Sequence, residues 1–303
     1  MTAPCLRQEL EVSWRQSGSG EPHVQQGSRS RRGAGLPARL VSAGFALWLG
    51  LAGFATHASE VVVREERTIM VAGHRETWRL EWQGKPVKAC GADAVYMANT
   101  CPCSGLAYGE AGQLWLVRRR GGRDIEHLDL TQLFGKFDGP GDVDGMATAQ
   151  RWPMRDRDYD REANEDPKLI KDIEHRKPVR LMVFADYDHD GNATEFLLQV
   201  GTLPCGKLQL AAVGISAANP HLHVFGTGAH SNEPLMMSQW VWERLKQSGK
   251  PKEVEEWPCG DHGSEESDRV VVSAKRGQIN ATSRVYECRA DGHLGKLTSQ
   301  AAE

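Results

Sequence analysis

One stretch narrows the folding of this chain more than any other: ten residues rich in side-chain oxygen set between two apolar runs. Leu181-Met-Val-Phe184 leads into Asp186-Tyr-Asp188-His-Asp190-Gly191-Asn192-Ala-Thr194-Glu195, and Phe196-Leu-Leu198 follows. Carboxylates at alternate positions let a loop curl round a hard cation, and Gly at the sixth position permits the sharp turn. Asp186, Asp188 and Asp190 would each supply a carboxylate oxygen, and Asn192 its backbone carbonyl. Thr194 or Glu195 would close the sphere, directly or through water. The twelfth position, where an EF-hand carries a bidentate Glu, is Leu197, and both flanks read as strands. The spacing therefore predicts strand, Ca2+ loop, strand. The competing reading is a solvated acidic turn in which Asp190-Gly191 simply makes the bend.

Export is the second expectation. Residues 40–59 carry no Asp, Glu, Lys or Arg, follow Arg39, and end in the small-x-small pattern Thr56-His57-Ala58. This reads as a signal peptide over residues 36–58 that is cleaved to leave a mature chain 59–303. An uncleaved anchor competes, since the run approaches the ~20 residues a spanning helix needs. Residues 1–35 are polar, without hydrophobic period, and read as a disordered leader or a start placed too early. Loss of residues 1–58 removes six of 37 basic and three of 40 acidic residues, leaving 31 against 37 and a net charge of −6. A mildly acidic chain without a basic stripe is a poor nucleic-acid binder. Contact with a membrane is expected only through the signal peptide before cleavage, and no partner is specified. The expected location is the periplasm or the exterior of a bacterium.

Cysteine usage points the same way. Cys90, Cys101, Cys103, Cys205, Cys259 and Cys288 remain after cleavage, an even number suited to three disulfides. Pairing stays open, although Cys101 and Cys103 are too close to pair easily with each other. Cys90 is a neighbouring candidate for one of them, and Cys288 is a plausible partner for Cys259.

The fold class expected is mostly β: antiparallel hairpins with two or three short helices. Residues 60–72 and 75–82 read as one hairpin, with Trp78, Leu80 and Trp82 on one face. Residues 113–119 and 125–130 read as a second, turned by Arg120-Gly121-Gly122-Arg123. A polar excursion, 135–177, joins subregions 59–134 and 178–303. It holds a short helix capped by Asp166 and Pro167, with Leu169, Ile170 and Ile173. Its Asp156, Asp158 and Asp160, interleaved with Arg155 and Arg157, read as a charge-balanced surface segment. Further strands are expected at 179–185, 194–200, 208–215, 221–226, 269–274 and 279–288. One amphipathic helix is expected at 237–247, burying Trp240, Val241 and Leu245, with Gly249 as its stop.

Two other constellations bear on chemistry. His221 and His223, with His230 and Asp261-His262, have residue types suited to a transition metal, but two clustered histidines fall short of the usual ligand count. The stretch from Asp261 to Glu265, with His221 and His223, supplies the alternative functional reading, an exported hydrolase. Gly214-Ile-Ser216 lacks the second glycine of a nucleophile elbow. The bland reading of Cys259-Gly-Asp-His-Gly is a turn pinned by a disulfide.

The phrases ADYDHDGNATEFLLQV, LPCGK, NPHLHVFGT and WPCGDHGSE, with the segment 90–109, resemble a group of uncharacterised exported bacterial proteins. The loop itself resembles the EF-hand-like loops of FG-GAP repeats, which place their last acid one residue earlier. The resemblance implies the calcium loop, carried on Asp186, Asp188, Asp190 and Glu195, and a disulfide plan. It implies no catalytic residues. The leading functional expectation is a secreted or periplasmic calcium-stabilised binding or structural protein.

Overall fold

The computed structural model describes residues 60–89, 108–134, 146–153, 155, 157–158, 161, 166–203 and 207–303. The expected leader and signal peptide, Cys90, Cys101, Cys103, Cys205 and much of the excursion lie outside them. Three two-residue turns organise the chain: Ala72-Gly73, Gly121-Gly122 and Arg276-Gly277, each with both φ values positive. That conformation matches the right-handed twist of paired strands, so each turn closes a tight hairpin. The hairpins are β1 (Val61–Val71) with β2 (His74–Gln83), β5 (Leu114–Arg120) with β6 (Arg123–Asp129), and β13 (Glu266–Lys275) with β14 (Gln278–Cys288).

Pairing of β2 with β5 makes a sheet of order β1-β2-β5-β6. A small second sheet holds β3 (Val87–Ala89), β4 (Gly109–Gly112) and β7 (Ala147–Gln150). The third is built on β9 (Lys207–Gly214), with β8 (Glu195–Leu203) along one edge. Short β10 (His223–Val224) and β11 (Met236–Ser238) share its other edge. The fourth runs β12-β13-β14-β15, with β12 spanning Lys252–Trp257 and β15 Leu294–Ala302. All pairings among the described residues are antiparallel, and two α-helices are described along their whole length, α1 (Leu169–Glu174) and α2 (Gln239–Gln247). The protein is mostly β, as expected. Among the described residues no helix is long and apolar enough to cross a membrane.

The β8–β9 sheet is the middle layer. Phe196, Leu198 and Val213 face one core with Trp78, Leu80, Trp82, Leu114 and Leu116. Leu210 and Ala212 face a second, with Val241, Trp242, Leu245, Val270 and Val272. β9 is thus covered on both faces, which explains its unbroken run Leu210-Ala-Ala-Val213. Full burial of each large side chain stabilises by about 1.5–3 kcal/mol. Subregions 59–134 and 178–303 share the first core.

Several expectations need correction. Residues 179–184 are unpaired in any sheet: Val179 N–H donates to the Arg151 carbonyl and Val183 N–H turns back to the Leu181 carbonyl, both at 2.9 Å, and only Ala185 bridges to Glu195. Side chains of β1 hold that segment instead. Arg64 Nη2 donates to the carbonyls of Gln150 and Val179, both at 2.9 Å, and Glu65 Oε2 accepts the amides of Leu181 (2.7 Å) and Met182 (3.3 Å). A bulge between Val63 and Glu65 directs both side chains there. Helix α2 starts two residues later than expected, because Met236–Ser238 pairs with β9. Trp242, not Trp240, is its buried tryptophan; Trp240 is 46 % exposed. Ile170 of α1 is also exposed, while Leu169 and Ile173 are buried. Asp158 is not on the surface: it is fully buried and takes a two-pronged ion pair from Arg176, at 2.5 and 2.8 Å. Strands β12 and β15 are largely polar, and β3, β4 and β7 are three or four residues long, so none stands out by pattern.

Candidate metal centre

The ten-residue loop is closed at its mouth by the Ala185–Glu195 bridge, with Ala185 N–H donating to Glu195 O at 2.9 Å. Inside, Gly191 has φ +95°, the left-handed conformation its position requires, and His189 adopts φ +53°. His189 tolerates that backbone because two elements, α2 and the β13–β14 turn, grip it. Its Nε2 lies 2.6 Å from the Leu245 carbonyl at the end of α2, and its own carbonyl accepts Arg276 N–H at 3.1 Å. The neighbouring Asp188 carbonyl accepts Gly277 N–H at 3.1 Å. Gly249 is needed here for close approach rather than as a helix stop. A Cβ at 249 would sit 2.2 Å from the Ala274 carbonyl and 2.9 Å from the His189 ring.

The carboxylates divide into two sets. One oxygen from each of Asp186, Asp188 and Glu195 lies within 4.8 Å of the others. Asp186 accepts the amides of Asp190 and Gly191, each at 3.1 Å. Asp188 is fully buried; Oδ1 accepts the Asp190 amide, while Oδ2 has no hydrogen-bond partner among the described residues. Glu195, also fully buried, accepts Tyr187 N–H at 2.8 Å through Oε2. The Thr194 hydroxyl lies 2.8 Å from Glu195 Oε1 and 2.9 Å from the Ile215 carbonyl. Asp190 is turned aside: Oδ1 accepts the Asn192 amide at 2.7 Å, and Oδ2 accepts Ala217 N–H in the adjoining turn. The Asn192 side chain also donates to Asp190. Of the four carboxylates read from sequence, three converge, while Asp190 is held by the Asn192 and Ala217 amides and the Thr194 hydroxyl lies against Glu195.

Burial of two like charges has an electrostatic consequence. Loss of water, then the charges of Asp190 and Asp186, pushes the Asp188 carboxyl up to about 7. Burial, then Asp188, pushes Glu195 up to about 8. The Tyr187 hydroxyl rises to about 12, chiefly through burial; its ring meets Trp242 edge-on at 5.8 Å. A positive charge among the three oxygens would offset this repulsion. The converging groups are all oxygen, which suits a hard cation rather than zinc or copper.

The other constellation does not assemble. His223 pairs with Gly214 at the end of β9, whereas Asp261 meets Lys207 Nζ at 2.8 Å at its start. Seven residues of strand, about 23 Å, separate those two ends of β9. His221 is exposed beyond β10 and lies 3.3 Å from Glu126; burial lowers the proton affinity of His223, which stacks on Phe225 at 4.3 Å. Lys207 also covers the Trp257 ring, 3.5 Å from its centroid. Cys259 and Cys288 form a disulfide across the adjoining turn. The Ser216 hydroxyl accepts the Asn219 amide within a turn.

The backbone groups that brace the loop, at Leu245, Arg276, Gly277 and Ala217, carry no signal in sequence, since any residue type supplies them. No family model, curated protein or solved structure matches this chain.

Proposed function

We propose that this is an exported, periplasmic or secreted protein stabilised by calcium, with a binding or structural role. The observation that carries the reading is the trio Asp186, Asp188 and Glu195, the last two fully buried, with oxygens within 4.8 Å and one Asp188 oxygen lacking a hydrogen bond. Buried polar atoms are rarely left unpaired without a role. The surrounding braces come from α2, the β13–β14 turn and the turn after β9, so a cation here would fasten both cores together. Water and backbone oxygens would complete the six to eight ligands calcium takes. The Cys259–Cys288 bond supports an oxidising compartment. The test is thermal unfolding of the oxidised protein with calcium, with magnesium and with excess EDTA. A midpoint raised by calcium and lowered by chelation is expected; equal midpoints would leave the loop as a hydrogen-bonded turn.

A further inference from the structure

We propose that the cleft between β8 and residues 179–183 accepts an extended, acidic peptide as an added strand, an inference that rests on the binding role proposed above. The cleft encloses about 280 Å³, near the lower end of the range for small-ligand sites. Leu197, Leu198 and Gln199 all line it. Successive side chains of a strand point to opposite faces, so three in a row meet one space only at the strand's edge.

That edge is open. Both hydrogen bonds of the bridge run between Ala185 and Glu195, so the N–H and C=O of Glu195 point away from β9. By the two-residue period, those of Leu197 and Gln199 point the same way, into the cleft. Among the described residues they meet no partner there.

The facing wall would ordinarily be the strand that closes such an edge. Here it is held off. Arg64 and Glu65 take up the backbone groups of Val179, Leu181 and Met182, and Met182 is buried in the core. Val179, Leu181 and Val183 line the cleft side, with Arg180 among them. The result is a slot with backbone donors and acceptors on one side and an apolar wall on the other, the arrangement that strand addition uses.

Charge selects among peptides. Glu243 and Lys246 at the rim pair with each other at 4.0 Å. Arg180 is exposed at the mouth with no ion pair among the described residues, so it favours a carboxylate on the incoming strand.

The experiment is amide hydrogen exchange on the oxidised protein, in calcium and in EDTA, with the capped peptide Thr-Val-Glu-Val-Thr-Ser. Exchange at Leu197 and Gln199 is expected to slow about tenfold or more at saturation. The same peptide methylated at alternate backbone nitrogens should have no effect, and replacing its Glu by Lys should weaken binding several-fold. Val183→Trp, at a position 53 % exposed, should lower affinity about tenfold with an unchanged unfolding midpoint. Absence of slowing, or equal slowing by the methylated peptide, would overturn the proposal. So would a dimer whose Leu197 and Gln199 amides are already protected, which would assign the slot to a second copy. Peptide protection without any calcium effect on the midpoint would sink the calcium reading alone; the converse would sink this one alone.

Discussion

Asp188→Asn separates a cation site from a hydrogen-bonded turn, because the two predict different signs. The substitution keeps the shape of a fully buried side chain and removes its charge. Two full negative charges within 4.8 Å of each other would repel by about 3.5 kcal/mol or more at an effective dielectric of about 20, the repulsion that helps push both carboxyls up when no cation is bound. Without a cation, Asn therefore relieves repulsion, and its amide can donate to the neighbouring carboxylates. The midpoint in EDTA should stay level or rise. With calcium at a hundredfold excess over its dissociation constant, the wild type gains about 2.7 kcal/mol. A hundredfold loss of affinity would cut that gain to about 0.4 kcal/mol, a difference of about 2.3 kcal/mol. For a domain of this size that is about 5–9 °C in midpoint. The assay is paired calorimetric scans of wild type and variant, with calcium and with EDTA. Equal destabilisation in both buffers would refute the reasoning.

Other perturbations test the frame around the loop. Gly214→Ala would put a Cβ 2.2 Å from the Thr194 carbonyl and 2.8 Å from Glu195 Cα. Backbone must shift, so about 1–3 kcal/mol of stability should be lost in denaturant titration, with calcium affinity falling alongside. Replacing Cys259 and Cys288 together by Ser should cost about 3.6 kcal/mol by the chain-entropy relation for a separation of 29 residues, read from urea unfolding. Asp158 is held below its ordinary value of 3.8 by its bonds from Arg176. The folded state therefore binds that proton more weakly than the unfolded one, and the stabilisation is present above about pH 4 and lost as pH falls through the lowered folded value. Asp158→Asn should be destabilised by about 3–5 kcal/mol at pH 7 and show a shallower decline below pH 4 in acid-unfolding curves; parallel curves would contradict this.

Much of the local structure was legible because it is locally encoded. Gly73, Gly122 and Gly277 each follow a residue that also takes positive φ, and the turn chemistry of Arg120-Gly121-Gly122-Arg123 alone places one hairpin. The alternation of Trp78, Leu80 and Trp82 sufficed to place all three in one core. The acidic loop and its Gly191 follow from ligand spacing, the strand after it follows from its apolar run, and the Cys259–Cys288 pairing was among the plausible readings.

What the sequence alone determined, then, is the set of turns, the β class and the presence of a dense carboxylate loop, since each depends on neighbours a few residues apart. Tertiary structure decided which carboxylates matter. Spacing treats Asp190 and Asp188 alike, yet the amide of Ala217 draws Asp190 away while β13–β14 and α2 bury Asp188. It also decided that residues 179–184 would not pair, because Arg64 and Glu65, more than a hundred residues earlier, satisfy their backbone first. Trp240 and Trp242 look equivalent until β11 fixes where the helix begins. In each case the deciding partner is a backbone group or a charge brought from far along the chain, and local pattern holds no record of it.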